Sequence, residues 1–142
     1  MSIFDCFKLK KAGIFVDGPN MLRKETHLDL AIVKKKASEI ASVVISNVYL
    51  DQFAKDKLLE AVINQGFNPV VSSGDVDVAM ATDIVYYSMR NNLSHIVIVS
   101  RDTDFVPAIR RVKELDKKIV VISKKFGFSS ALKNYADQLI FL

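Results

Sequence analysis

Three aspartates, Asp17, Asp102 and Asp104, stand just past short apolar runs: Gly13-Ile14-Phe15-Val16 precedes the first, and Ile96-Val97-Ile98-Val99-Ser100-Arg101 precedes the other two. If both runs are parallel strands of one sheet, their carboxyl ends open on a single edge, the edge where open α/β sheets bind ligands. Carboxylates gathered there repel one another and are costly to hold ionised together unless a cation lies between them. Oxygen ligands without His or Cys select hard cations, so Mg²⁺ or Mn²⁺ is the expected ion. An ion of that kind polarises a phosphodiester, lowers the pKa of a bound water and neutralises charge on a departing oxygen.

For the acids to meet, the elements must alternate, and the sequence has that pattern. Strands are expected at Ile14 to Val16, Val43 to Leu50, Asn68 to Val71, His95 to Val99 and Ile119 to Ile122, with a weaker one at Gln138 to Phe141. Between them the spacing predicts helices over Leu28 to Ser42, Lys55 to Gln65, Val76 to Asn91, Phe105 to Leu115 and Ser129 to Ala136. Gly66 reads as a helix stop and Pro107 as a first-turn residue. Strands nearly continuous in Val and Ile argue for a mostly parallel sheet covered on both faces. Right-handed crossovers then give a Rossmann-like three-layer sandwich, and the order 3-2-1-4-5 would set strands one and four side by side at the crevice. The strand rich in Val43, Val44, Ile45 and Val48 suits either the inside of the sheet or a dimerising edge.

Length and composition bound the rest. The chain has 142 residues, 50% hydrophobic and 25% charged, which is ordinary for one domain with a real core. Residues 1–11 read as a short basic arm carrying Lys8, Lys10 and Lys11, and 12–142 as a single domain. The one cysteine, Cys6, excludes an internal disulfide and a multi-cysteine zinc site. No apolar span is long enough for a bilayer and the start lacks a signal-like core, so the expected location is cytoplasmic. A formal charge of +4 suits a polyanionic partner without demonstrating one.

Three stretches, Phe15-Val16-Asp17-Gly18-Pro19-Asn20, Asp77-Val78-Ala79-Met80-Ala81-Thr82-Asp83 and Ser100-Arg101-Asp102-Thr103-Asp104-Phe105, resemble the signature stretches of the NYN domain, a group of PIN-like nucleases that includes the LabA-type proteins. The resemblance runs from about Ala12 to the last strand. It implies the same Rossmann-like fold and metal-dependent hydrolysis of RNA. By position, it makes Asp17, Asp77, Asp102 and Asp104 the catalytic and metal-binding cluster, Asn20 a catalytic polar neighbour and Asp83 a secondary acid. Two positions depart from the family pattern: Arg101 stands where glycine is usual, and Gly74 where a basic residue is often found. The first either adds a cation against substrate phosphate or narrows the site, and the second removes a phosphate contact.

Each of these residues also has a plainer reading. Asp17-Gly18-Pro19-Asn20 has the composition of a turn, Asp77 suits a helix cap, and Asp102 or Thr103 suits another. Asp83 falls with Val76, Met80 and Tyr87 on a largely apolar side, where an unpaired carboxylate is costly. Six residues from Asp77, it is not expected to ligate the same ion, and Asp77 is the better ligand. His95 begins a strand at the far edge and His27 lacks a partner, so neither is read as a ligand. Arg23, Lys24, Arg101, Lys124 and Lys125 are the candidates for RNA phosphate contacts, since all would stand near the functional edge. Phe126 and Phe128 either stack on a base or cover the last helix.

Asp17 and Asp104 are expected to hold the ion, with Asp102 and Asp77 completing its shell and Asn20 orienting substrate or water. A metal-dependent ribonuclease is therefore the leading reading. The alternative is a regulatory module of the same fold that binds RNA or protein without useful turnover. An aspartyl phosphatase is a third, against which Pro19 stands where that chemistry commonly places a second acid.

Overall fold

Six apolar runs become the strands β1 (Lys11–Asp17), β2 (Ser42–Asp51), β3 (Asn68–Ser72), β4 (His95–Val99), β5 (Lys118–Ser123) and β6 (Gln138–Phe141). They form one sheet in the order β3-β2-β1-β4-β5-β6, every neighbouring pair parallel. The computed structural model describes residues 10–23, 28–102 and 104–142. Most of the expected basic arm, with Cys6 and Lys8, lies outside those residues, as do Lys24, His27 and Thr103; Lys11 already opens β1.

Parallel strands need long crossovers, and helices supply them. These are α1 (Gly18–Met21), α2 (Leu30–Ser38), α3 (Asp56–Asn64), α4 (Val76–Arg90), α5 (Val106–Glu114) and α6 (Ser130–Lys133). One face of the sheet packs Ile14, Val16, Val48, Val97 and Val99 against α2 and α3. The other packs Phe15, Ile96, Ile98 and Val121 against α4, α5 and α6. Both faces are therefore dry, which is why β4 and β5 read as unbroken Val and Ile. A fully buried side chain such as Phe15 contributes about 1.5–3 kcal/mol relative to exposure. No helix of the described residues is long and apolar enough to cross a membrane.

Local chemistry sets the helix ends. The Asp29 carboxylate accepts from Ala31 N at 2.9 Å, so α2 starts at Leu30 and not at Leu28. It stops at Ser38, because Ser42 is already in β2. The end of α3 is a Schellman turn: Gly66, at φ +81°, donates to Ile63 O, and buried Phe67 donates to Val62 O. α6 is four residues, shorter than the spacing of apolar positions predicts. Asn47, Val48 and Tyr49 of β2 lie inside the sheet, between β1 and β3, which decides that alternative for Val48; Ser42, Val43, Ile45 and Ser46 pair along β1 alone among the described strands.

Candidate metal centre

β1 and β4 are neighbours, paired from Ala12 with His95 to Val16 with Val99, so the residues following each strand arrive together at the carboxyl edge. β3 reaches α4 through a short turn, and the first turn of α4 comes to the same place. One oxygen each from Asp17, Asp77 and Asp102 lies within 4.8 Å of the other two, the only such group among the described residues.

Asp17 ends β1 and caps α1, so the stretch expected as a turn is one turn of helix. Gly18 is required there, because a Cβ would collide with the Tyr49 carbonyl oxygen. The Asp17 carboxylate is only 3% exposed and accepts two long bonds, from Asn20 N at 3.4 Å and Ser100 Oγ at 3.3 Å. Bonds of that length hold the oxygens weakly. Burial pushes its carboxyl up to about 6; the bonds from Asn20 and Ser100 oppose this, and the charge of Asp102 adds to it. Ser100 Oγ also accepts from Asp102 N at 3.1 Å, so one hydroxyl ties two of the three acids together. Sequence reasoning gave Ser100 no role, although its place directly after β4 was the available signal.

Asp77 is not the cap of α4. Asp75 is, accepting from Asp77 N at 2.9 Å, which leaves the Asp77 carboxylate unused by the helix. Burial pushes Asp77 up to about 7, followed by the charge of Asp17, a bond with the Asp104 carboxyl, and the charges of Asp102 and Asp104. Asp104 is exposed; its backbone N donates to Asp102 Oδ1 at 3.2 Å. The convergent trio is thus Asp17, Asp77 and Asp102, with Asp104 against Asp77 at the rim. α5 starts after Phe105 with no side-chain cap, so Asp102 is not spent as one.

Oxygens on one octahedral Mg²⁺ at about 2.0–2.1 Å lie about 2.9 Å apart in neighbouring positions and about 4.2 Å apart in opposite ones, so the trio would draw in around a shared ion or reach it partly through water. The donor set is oxygen alone, and its raised carboxyls share one remedy, a cation between them. The residues fit a hard divalent ion.

Asp83 lies elsewhere: it accepts from the Tyr49 hydroxyl at 2.8 Å and is outside the trio. Asn20 Oδ1 accepts from Arg101 N at 3.0 Å. Arg101 itself is a correction. Only 8% exposed, its guanidinium donates to Asn20 O at 2.9 Å and Phe126 O at 3.1 Å, so it clamps α1 to the loop after β5 and is not presented to a phosphate. A charged residue beside the acids predicted exposure; the carbonyls within reach drew it inward. Arg23 is exposed, donates to Pro19 O at 2.8 Å and slightly lowers Asp17. Lys124 and exposed Lys125 follow β5 on the functional edge, with Lys125 Nζ 5.9 Å from the Phe141 ring centre. His95 pairs with Ser94 Oγ at 2.8 Å on the opposite edge.

Residues 11–142 match the NYN domain. A relative from Methanocaldococcus jannaschii, an uncharacterised protein, is 52% identical over 130 residues, which is 92% of this chain and 54% of the relative; the chain spans about half the length of the curated relative it matches. The fold is also that of a crystal structure of a protein of unknown function from Vibrio parahaemolyticus, with a TM-score of 0.81 at 20% identity, covering 94% of this chain and 93% of that one.

Proposed function

The chain belongs to the NYN domain family, and from that premise we propose that it is a ribonuclease that hydrolyses RNA phosphodiester bonds with Mg²⁺ or Mn²⁺ held by Asp17, Asp77 and Asp102. The observation that carries the reading is the convergence of those three oxygens within 4.8 Å at the carboxyl edge. Such an ion, when bound, supplies positive charge against the phosphate and acidifies water.

The protein's own share is positioning. Ser100 fixes Asp17 relative to Asp102, and the cap at Asp75 frees Asp77 to face them. Arg101 holds Asn20 so that its amide nitrogen meets substrate or water. Asp104, bonded to Asp77 at the rim, completes the shell through water. Arg23, Lys24, Lys124 and Lys125 remain the phosphate contacts on this reading, with RNA as the partner.

The Arg101 clamp favours the second reading, a module that binds RNA or protein without useful turnover, because it fills space that glycine would leave open next to Asn20. Incubating single-stranded RNA with wild-type and Asp17→Asn protein, in Mn²⁺ and in EDTA, separates the two. The nuclease reading expects cleavage only by wild type with Mn²⁺. Equal cleavage in every arm marks a contaminant, and RNA binding without product favours the module.

A further inference from the structure

We propose that the cavity beside Phe53 is a nucleobase subsite, taking one unpaired base of the strand whose backbone lies at the acidic trio; the assignment rests on the ribonuclease reading. Phe53 is 80% exposed, the most exposed large apolar side chain among the described residues. It borders a cavity of about 350 Å³ lined by Gly18, Pro19, Leu22, Leu50 and Lys55. That is within the size range of small-molecule sites, though at its small end.

Three features make this a site and not a stray ring. The ring is presented by a fixed turn: Phe53 N donates to Asp51 Oδ1 at 2.9 Å and Ala54 N to Asp51 O at 3.2 Å, anchoring the loop to the end of β2. The cavity begins one residue along the chain from the trio, since Gly18 in its wall follows Asp17 and is wedged against Tyr49 and Leu50. Exposed Lys55 lines the same cavity as Phe53, and a cation together with an aromatic ring is the combination that binds single strands through base stacking and phosphate attraction.

The geometry also selects the form of nucleic acid. Asp17 shares the sheet face of Phe15, toward α4, whereas Leu50 and Leu22 belong to the face toward α2 and α3. A strand joining trio to cavity must fold over the sheet edge at Gly18-Pro19. A single strand turns that sharply, while a base in a duplex has both faces stacked and cannot lie on Phe53.

The chain has no tryptophan, so Phe53→Trp introduces a lone indole reporter. In an Asp17→Asn background, which prevents turnover, its emission is titrated with a short single-stranded oligoadenylate, the same oligomer carrying abasic positions, and a blunt duplex. Saturable quenching by the first alone is expected, and Phe53→Ala should weaken single-strand binding about tenfold, measured by anisotropy, with an unchanged thermal midpoint. Unchanged emission while anisotropy shows bound RNA, equal quenching by the duplex, no binding at all, or Phe53-dependent self-association in place of RNA binding would each overturn it. Cleavage by wild type without quenching removes the subsite and leaves the nuclease. Quenching without any cleavage by wild type does the reverse.

Discussion

Helix α4 carries two aspartates six residues apart that meet opposite fates. Asp77, in its first turn, faces Asp17 and Asp102, and its neighbours in charge are other acids. Asp83, near the middle, ends a chain of neutral donors: Asn68 Nδ2 donates to Asn47 Oδ1 at 3.4 Å, Asn47 Nδ2 to the Tyr49 hydroxyl at 3.1 Å, and that hydroxyl to Asp83 at 2.8 Å. Burial pushes the Tyr49 hydroxyl up, so it stays protonated and donates. The contrast teaches how to sort acids in a fold. A carboxylate satisfied by protein hydrogens holds structure together, whereas carboxylates gathered on each other store a repulsion that only protons or a cation relieve.

The sharpest way to break this contrast is to neutralise one acid from each region. Asp17→Asn should abolish Mn²⁺ binding measured by calorimetry, while Asp83→Asn should leave the affinity within about twofold, because Asp83 bonds to the Tyr49 hydroxyl and not to the trio, and sites without shared partners are nearly independent. Equal losses in both variants would mean that Asp83 belongs to the centre and that the two regions are one.

Burial of the acids, with their mutual repulsion added to it, should also be visible without any ion. The Asp17 carboxyl is raised to about 6 and that of Asp77 to about 7, both above the ordinary carboxylate range. Between about pH 4 and pH 7 the folded chain keeps protons that the unfolded chain has released, so stability falls as pH rises through that window. For Asp17 the effect is at most about 3 kcal/mol, and the more exposed Asp77 contributes less. Urea midpoints in EDTA should therefore decline from about pH 4 to pH 7, and Asp17→Asn should flatten the decline. Saturating Mn²⁺ should reverse it, since the ion needs the deprotonated acids. A wild-type midpoint that rises across the window in EDTA would show that the acids are not buried together.

Much of this was legible in the sequence, and what was not has a common cause. β4 falls at its expected bounds because a strand buried on both sides leaves an unbroken run of Val and Ile, and the edge strand β6 also falls at its expected bounds. Asp17 and Asp102 were visible for the same reason, being polar residues that terminate such runs. Helix ends were less legible, since apolar spacing cannot tell that Asp29 turns its carboxylate onto Ala31 N. Side-chain direction was not legible at all. Nothing in the composition around Arg101 says that the carbonyls of Asn20 and Phe126 lie within its reach, because one is 81 residues away and follows a different strand. The same applies to Ser100, whose hydroxyl matters only once β1 and β4 are neighbours.

The smallest expected effect tests the structural half of the comparison. Tyr49→Phe keeps the ring, fully buried in the face toward α4, and removes only the oxygen that links Asn47 to Asp83. Asn47 is buried and loses an acceptor, while Asp83 is half-buried and can turn toward water, so the cost falls mainly on the amide. That argues for a loss of about 1–2 kcal/mol in urea unfolding, the usual cost of one buried polar group left unsatisfied. Mn²⁺ affinity should not change, since the Tyr49 carbonyl that packs on Gly18 is backbone and survives the substitution. Pairing it with Asp83→Asn in a double-mutant cycle isolates the bond, and the two losses should fall short of additive by about 0.5 kcal/mol or more. Strict additivity together with weakened Mn²⁺ binding would relocate Tyr49 from the packing of α4 to the support of the trio, and the division between the two aspartates of that helix would be lost.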